Sequence, residues 1–214
     1  MSGPTDSGPI ALGALDLAAL LCSRVCHDLI SPVGAIVNGV EVLEDDKDEE
    51  TRTFALDLIK KSARQASAKL QFCRLAFGAA GSAGAQIETG DAEKAARGLL
   101  EDEKLKVTWN LPRELKPKNQ VKLLLNMLLI AAGAIPRGGT VTIDPIEGSP
   151  GFRLTAAGLN PRLTPTTTEL LAGSPAQPVD AHGIQPFYTG LLARDCGLAV
   201  SAAAEAESVV LTAR

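Results

Sequence analysis

Apolar residues recur every three or four positions along the first third of the chain, which is the spacing of one face of an α-helix. One such pattern runs from Ile10 to Leu43 and a second from Glu49 to Phe77. The first stripe comprises Leu15, Cys22, Cys26, Leu29, Val33, Ile36, Val40 and Leu43, and the second Leu56, Ile59, Ala63, Ala66, Leu70, Cys73 and Phe77. The acidic stretch EDDKDEE separates them, so the pattern predicts an antiparallel hairpin of two long helices.

A single helical hairpin buries little of its own apolar surface. Two hairpins, one from each copy of the chain, would close a four-helix bundle and cover both stripes. The pattern therefore predicts a homodimer held together by its first two helices.

The pattern changes after the glycine- and alanine-rich stretch GAAGSAGA. The segments read, in order, as a helix (DAEKAARGLLEDE), a strand (KVTWNL), an apolar helix over residues 118–134, a strand pair (PRGGTVTIDP and GFRLTAA), a loop over 161–180, a helix over 190–195 and two strands (LAVSAAA and SVVLTA). Helices on one face of a mostly antiparallel sheet make an α+β domain. We divide the chain into a disordered lead (1–9), the hairpin (10–80) and a second domain (84–214).

Composition narrows the choice of function. The 214 residues carry a net charge of -4 with a pI near 5.3, which lacks the basic footprint of a nucleic-acid-binding protein. No uninterrupted apolar run reaches the roughly 18 to 20 residues of a membrane span, and the N-terminus lacks the regions of a signal peptide. A cytoplasmic protein without a membrane or nucleic-acid partner is expected.

The cysteines form no CxxC pair. Cys22 and Cys26 share a helical face with apolar residues, which favours small buried hydrophobic side chains. A zinc site that uses them with His27 is the alternative, but it lacks a fourth ligand at a recognisable spacing.

The stretch CHDLISPVG holds one of only two histidines in the chain. His27 falls opposite the apolar stripe, so its ring should stand in solvent within a ring of Leu20, Ile30 and Val37, with open space over Gly34. An exposed neutral imidazole can attack phosphorus and carry a phosphoryl group, which a buried one could not do. A plain exposed histidine is the alternative reading.

Several polar side chains around His27 are candidates for a supporting role. Arg24, one turn earlier, could pair with an anion on the imidazole, and Asp28 could assist the chemistry, although either could be a solvated charge. Ser23 and Ser31 are surface neighbours at helical spacing. On the second helix Lys60, Lys61 and Arg64 could meet an acidic partner or form an ordinary solvated face. His182 is interpreted as a non-catalytic loop histidine.

HDLISP resembles the H-box of two-component histidine kinases, in which a histidine, an acidic residue and a proline or threonine follow at this spacing. The hairpin resembles their dimerisation and phosphotransfer domain, and the second domain their Bergerat-type ATP-binding domain, an α/β sandwich. The resemblance implies that the N-box is LLNMLLIAAGAIP, which keeps Asn126 but has Leu129 and Ile130 where kinases carry aspartate and asparagine. The stretch AAGLN has Ala156 instead of the adenine-binding aspartate, and GIQP replaces the second glycine-rich loop. Neither ATP nor any other cofactor should bind this degenerate domain.

HDLISPVGAIVNGVEVL and GIQPFYTGLLAR together resemble the ChpT-type histidine phosphotransferases of alphaproteobacterial cell-cycle phosphorelays. This resemblance implies a phosphotransferase that relays a phosphoryl group through His27. The donor would be the receiver aspartate of a CckA-like hybrid kinase, the acceptors receivers of CtrA-like and CpdR-like response regulators, and Mg²⁺ would belong to the receiver. The alternatives are an active kinase with divergent boxes and a dimeric scaffold that only docks receivers.

Overall fold

The computed structural model describes residues 12–45, 47–78, 85–173, 175 and 177–214. The predicted lead, residues 1–9, and most of the stretch GAAGSAGA lie outside the described residues. Helix α1 spans Ala14–Asp45 and helix α2 spans Glu49–Ala76, close to the predicted limits. They pack against each other as the predicted antiparallel hairpin.

Two features let the hairpin helices approach and turn. Gly39 of α1 is buried, and a Cβ there would lie 2.7 Å from Cγ1 of Ile59, so only glycine allows this close approach. At the turn, Asp48 is the N-cap of α2, where its carboxylate accepts a hydrogen bond from the Thr51 amide at 2.9 Å. The guanidinium of Arg52 donates to the carbonyl of Leu43 near the end of α1.

The apolar stripe predicted on α1 is only partly covered within one chain. Pro32 and Gly39 are the buried residues of this helix, whereas Leu29, Ile36 and Leu43 of the stripe are half-buried. The remaining members of the stripe are exposed, namely Leu15, Cys22, Cys26, Val33 and Val40. The burial predicted for Cys22 and Cys26 is therefore wrong for the single chain, because their face turns away from α2.

Helix α1 is also, among the described residues, the one helix long and apolar enough to span a bilayer. The sequence did not indicate a helix of this kind, because Asp16, Arg24 and Asp28 interrupt its apolar residues. Helix α1 packs against α2, and only a small share of its most apolar segment is buried. Much of its apolar surface is therefore exposed in the single chain and is available for a further contact.

The second domain is a five-stranded sheet with helices on one face. The strands run in the order β2 (Leu105–Trp109), β4 (Gly139–Pro145), β5 (Phe152–Gly158), β7 (Ser208–Ala213) and β6 (Val200–Ala204). Only the β2–β4 pair is parallel, which agrees with the predicted mostly antiparallel sheet. Two short strands, β1 (Gln86–Glu88) and β3 (Leu115–Pro117), pair separately and were not predicted.

The described part of this domain contains the helices α3 (Thr89–Leu100), α4 (Lys118–Ala134), α5 (Pro165–Ala172) and α6 (Ile184–Asp195). Helix α4 has the predicted limits and is buried almost all round, since it lies between the sheet and helices α2, α3 and α6. The core around it includes the fully buried Leu123, Leu124, Leu125, Met127, Leu128, Ile143, Phe152, Leu154 and Leu211. The architecture is the predicted α+β combination of a helical hairpin and a second domain with helices against a sheet.

Two predictions for this domain are wrong. The predicted loop over 161–180 contains α5, which Thr164 caps through a hydrogen bond from the amide of Thr167 and which Pro165 begins. Helix α6 begins at Ile184 instead of Gly190, because Pro186 lies in its first turn, where a missing amide donor costs nothing.

The second domain is fastened to the hairpin at two places. Phe72, Leu75 and Ala76 at the end of α2 belong to the main core. At the start of α1, a smaller cluster packs Leu12, Leu17, Leu20 and Leu21 against Leu170, Val179, Ile184 and Phe187. This second contact places the turn before α6 beside the middle of α1.

Candidate functional site

His27 stands on the outer side of α1 with 81% of its side chain exposed, as predicted. Ile30 and Val37 on the same helix are 70% and 50% exposed. A Cβ built on Gly34 would have no atom within 4 Å, so the space one heptad beyond the histidine is open. This surface is accessible to a large partner and presents apolar side chains beside the imidazole.

Asp28 lies next to the imidazole, on its Nδ1 side. Its Oδ1 is 3.6 Å from Nδ1 of His27, while its Oδ2 accepts a hydrogen bond of 3.1 Å from Nε of Arg24. A carboxylate on the Nδ1 side favours the tautomer that carries its proton on Nδ1. The lone pair is then on Nε2, the nitrogen farther from the backbone and the better placed to act as a nucleophile.

Arg24 therefore acts first on Asp28. The pair is separated by four residues on α1, and both side chains are about one-third exposed. An ion pair at this spacing fixes the carboxylate on the helix surface. The prediction that Arg24 faces an anion on the imidazole stays a prediction, and its place beside His27 is compatible with it.

Lys69 of α2 provides the hydrogen bond that Pro32 removes from α1. Proline has no amide proton, so the carbonyl of Asp28, four residues earlier, loses its helical hydrogen bond. Nζ of Lys69 donates to this carbonyl oxygen at 2.6 Å. The helix carrying His27 is thus tied to α2 within one residue of the imidazole, a contact that the sequence analysis missed.

A small cavity of about 190 Å³ lies behind this tie. It is lined by Asp28, Lys69, Phe72, Cys73, Phe77, Leu99, Leu100 and Leu129. Burial raises the pKa of the Cys73 thiol, with the Asp28 charge as a second cause, so this cysteine stays protonated and unreactive. Leu129, at a position where kinases carry a polar residue, here lines the junction between hairpin and second domain.

Leu20 is the one member of the predicted apolar ring that the structure places elsewhere. It is half-buried in the cluster against Leu170, Val179, Ile184 and Phe187, so it is not part of an exposed ring. The helical spacing was correct, but the second domain covers this turn of α1. The exposed apolar ring is reduced to Ile30 and Val37.

The other predicted partner-binding residues are accessible. Ser23 and Ser31 are exposed on α1, and Lys60, Lys61 and Arg64 are exposed on α2. Nζ of Lys60 lies 3.5 Å from Oδ1 of Asp57. Lys69 of α2 contacts Asp28 of α1, so the two residues lie at the same level of the hairpin. Lys60, Lys61 and Arg64 lie about 8–14 Å from Lys69 along α2, towards the hairpin turn.

His182 shares a cleft with His27. The cleft has a volume of about 290 Å³ and is lined by Ser23, Arg24, His27, Asp28, Ala181 and His182. We refer to it as the α1–α6 cleft, since its second wall is the turn that leads into α6. The sequence offered no partner for His182, because the two histidines come from different domains.

The turn that carries His182 is fixed by Asp180. Its carboxylate accepts hydrogen bonds from the amides of Gly183 at 2.7 Å and His182 at 3.0 Å. The bond from the Gly183 amide is the main reason why the pKa of Asp180 lies below its usual range. The carboxylate is therefore charged, and the turn capped, throughout the neutral range.

The residues that the resemblance aligns with nucleotide-binding positions of kinases make packing contacts here. Ile130 and Ala156 are buried in the core. Asn126 is fully buried, and its Nδ2 donates to the carbonyls of Ala76 and Lys122. Gln185, in the segment that replaces the second glycine-rich loop, donates to the carbonyl of Asn126 at 2.7 Å and ties α6 to α4.

The zinc alternative has Cys22, Cys26 and His27 as its ligands. Within the described ranges, no group of three or more histidine, cysteine, aspartate or glutamate side chains is arranged to hold a metal ion. Cys22 and Cys26 are free thiols on the surface of α1.

Comparisons with known proteins show the family to which the chain belongs. The chain is 55% identical over 209 residues to "Protein phosphotransferase ChpT" of Brucella abortus (strain 2308), covering 96% of this chain and 98% of the relative. A solved structure described as a bacterial phosphotransferase is 52% identical, with a TM-score of 0.85 and coverage of 97% and 100%. The histidine kinase AdeS of Acinetobacter baumannii is 11% identical with a TM-score of 0.45 and coverage of 87% and 95%, too distant to support an argument. The family model for the histidine phosphotransferase C-terminal domain matches residues 89–208, more than half of the chain. The chain belongs to the ChpT-type histidine phosphotransferases.

Proposed function

We propose that His27 is the residue that carries the phosphoryl group in this phosphotransferase. The observation that supports this most directly is an exposed imidazole whose Nδ1 lies beside Asp28, which leaves Nε2 open to solvent. Nε2 attacks the phosphorus of a phosphorylated receiver aspartate; the P–N bond forms as the acyl P–O bond breaks, and the carboxylate departs with the electron pair. The second transfer reverses these events on another receiver.

Asp28 assists by charge and not by proton transfer in this mechanism. Attack through Nε2 leaves the proton on Nδ1, so the ring of the phosphohistidine is positively charged. The carboxylate oxygen 3.6 Å from Nδ1 offsets this charge, and Arg24 holds the carboxylate in place. No proton has to leave the site during either transfer.

We propose receiver domains as the partners on both sides of the relay. The family membership supports a donor receiver of a CckA-like hybrid histidine kinase and acceptor receivers of CtrA-like and CpdR-like regulators. Mg²⁺ is supplied by the receiver, and the exchange takes place in the cytoplasm. Ile30, Ser31 and Val37, with Lys60, Lys61 and Arg64 farther along α2, form the docking surface.

The chain transfers phosphate without using ATP. Ile130 and Ala156 are buried apolar residues that offer no ligand for metal or adenine, and Gln185 is engaged in a hydrogen bond to α4. A calorimetric titration at millimolar ATP with Mg²⁺ should show no binding. Saturable binding would favour the active-kinase alternative.

Two variants separate docking from chemistry. His27→Ala should abolish labelling from a phosphorylated receiver and leave receiver affinity nearly unchanged, since the imidazole is a small part of the contact. Ile30→Glu should keep the fold, because Ile30 is exposed, and should weaken receiver binding by roughly 1–3 kcal/mol through a charge placed against an apolar contact. Receiver affinity and phosphate transfer are measured for both variants.

The outcomes distinguish the three readings of the chain. Labelling of the wild-type chain from a receiver but not from ATP supports a phosphotransferase. Labelling from ATP indicates a kinase, and binding without labelling indicates a docking scaffold. If Ile30→Glu binds and transfers normally, the docking surface proposed beside His27 is wrong.

We propose that the chain works as a homodimer built through the hairpin. Val33, Val40, Leu56 and Leu70 are members of the predicted stripes that remain 41–52% exposed in one chain. A second hairpin would bury them in a four-helix bundle. Leu70→Glu should convert the dimer to a monomer, which light scattering at micromolar concentration detects; a monomeric wild-type chain under these conditions would contradict the proposal.

A further inference from the structure

The α1–α6 cleft brings together the only two histidines of the chain. His27 contributes one wall together with Ser23, Arg24 and Asp28, and His182 contributes the other together with Ala181. The volume of about 290 Å³ is roughly ten times that of one water molecule in the liquid, so a phosphoryl group fits between the walls. The cleft exists only because the second domain is docked on the hairpin.

The position of His182 is set by the fold. The carboxylate of Asp180 accepts the amide hydrogens of His182 and Gly183, and its carbonyl accepts that of Ile184 at 2.9 Å. Immediately beside this turn, Val179 and Ile184 pack into the apolar cluster on α1. The imidazole of His182 thus extends from a backbone that is held on both sides.

The polar groups of the cleft differ in what they already bind. Arg24 is tied to the carboxylate of Asp28 at 3.1 Å, so much of its charge is matched. The ring of His182 is exposed and hydrogen-bonds to no other side chain in the part of the chain that the structure describes. A ring N–H donor is therefore available in the cleft that His27 also lines.

We propose that His182 is a second catalytic residue, whose ring N–H donates a hydrogen bond to a phosphoryl oxygen during transfer to and from His27. This rests on the proposed role of His27. As the P–N bond forms at Nε2 of His27 and the acyl P–O bond breaks, negative charge is spread over the three phosphoryl oxygens. A donor already in place stabilises this charge, and the proton stays on His182 throughout.

The test compares single-turnover transfer from a phosphorylated receiver for the full-length wild type, His182→Ala, His182→Gln and Gln177→Ala. His182→Ala should lower the rate constant at saturating receiver roughly tenfold, less than the 10²–10³ lost with an enclosed oxyanion donor, because the cleft is open to water. Receiver affinity should stay within twofold of wild type. His182→Gln keeps an N–H donor and should recover much of the rate, whereas the exposed Gln177, outside the cleft, serves as the matched control.

Each outcome decides between the two claims. If the wild type takes no phosphate from the receiver, the role proposed for His27 fails. If the wild type is labelled but His182→Ala transfers at its rate, only the role of His182 fails. A loss in His182→Ala that appears in receiver affinity instead of the rate constant, or that His182→Gln and Gln177→Ala share equally, also overturns the assignment.

Discussion

The hairpin and the second domain differ in how far they bury their apolar side chains. In the second domain, α4 and the sheet bury leucine, isoleucine and phenylalanine side chains completely. In the hairpin, Ile30, Phe54 and Leu70 are 70%, 71% and 52% exposed, although the helices pair along their length. One region stabilises itself through its own core, whereas the other keeps apolar surface that only further contacts can cover.

Buried polar groups differ between the two regions as well. Asn126 and Gln185 lie inside the second domain and donate hydrogen bonds to the backbone carbonyls of Lys122 and Asn126. The polar groups around His27 lie at the surface, where Arg24 and Asp28 pair in partial contact with water. Polar side chains thus serve packing in one region and are accessible for chemistry in the other.

The comparison predicts the largest difference for leucine truncation. Leu154→Ala should lower the free energy of unfolding by about 2–5 kcal/mol, because the buried Leu154 leaves a cavity in a closed core. Leu70 is outside the core of the second domain and faces the partner hairpin in the proposed dimer, so Leu70→Ala should leave the stability of the second domain unchanged within about 0.5 kcal/mol.

Urea unfolding followed by the fluorescence of Trp109, the single tryptophan, reports on the second domain alone. The two variants are compared with wild type by their transition midpoints. Equal losses for Leu154→Ala and Leu70→Ala would show that the two regions unfold as one unit, and the contrast between them would not hold.

Truncation of a glutamine should give the next largest effect. Gln185→Ala removes the tie between α6 and α4 and should cost about 1–3 kcal/mol, since a buried hydrogen bond is lost. Gln71 bonds to Ser67 on the exposed side of α2, so Gln71→Ala should be nearly neutral. The same urea experiment measures the first variant, and helical circular dichroism the second; a neutral Gln185→Ala would contradict the structural role given to this residue.

The smallest effect concerns the tie under His27. Lys69→Met keeps the aliphatic stem but leaves the carbonyl of Asp28 without the ammonium donor, which should cost about 1 kcal/mol of hairpin stability. Thermal unfolding monitored by circular dichroism measures this loss. Lys61→Met, at an exposed position of the same helix, is the control, and an equal response of both variants would assign the loss to helix propensity.

The sequence pattern predicted long elements well and short ones poorly. The limits predicted for helix α4 agree with the structure, because seventeen residues with few polar interruptions are too long for a strand and form a buried helix. Helix α5 was missed inside a threonine- and proline-rich stretch, although Thr164 followed by Pro165 is a start signal for a helix. The three-residue strands β1 and β3 pair only with each other and have no periodicity to detect.

The site divides in the same way. Arg24, Asp28 and the surroundings of His27 were accessible to sequence reasoning, because helical spacing places them on one surface. Lys69 reaches Asp28 across 41 residues, and His182 comes from another domain, so no local pattern relates them to His27. The prediction that Leu20 is exposed was wrong although its helical spacing was right, because residues from a distant part of the chain partly bury it.

The docking of Leu17, Leu20 and Leu21 against the second domain has a kinetic consequence. The second domain forms one wall of the α1–α6 cleft, so in the proposed mechanism a receiver reaches His27 through the open mouth of this cleft. On the proposed role of His27, donor and acceptor receivers would exclude each other, and the chain would alternate between free and phosphorylated forms in a ping-pong cycle. Reciprocal plots of the overall relay should be parallel lines, and each receiver, in excess, should inhibit its counterpart competitively.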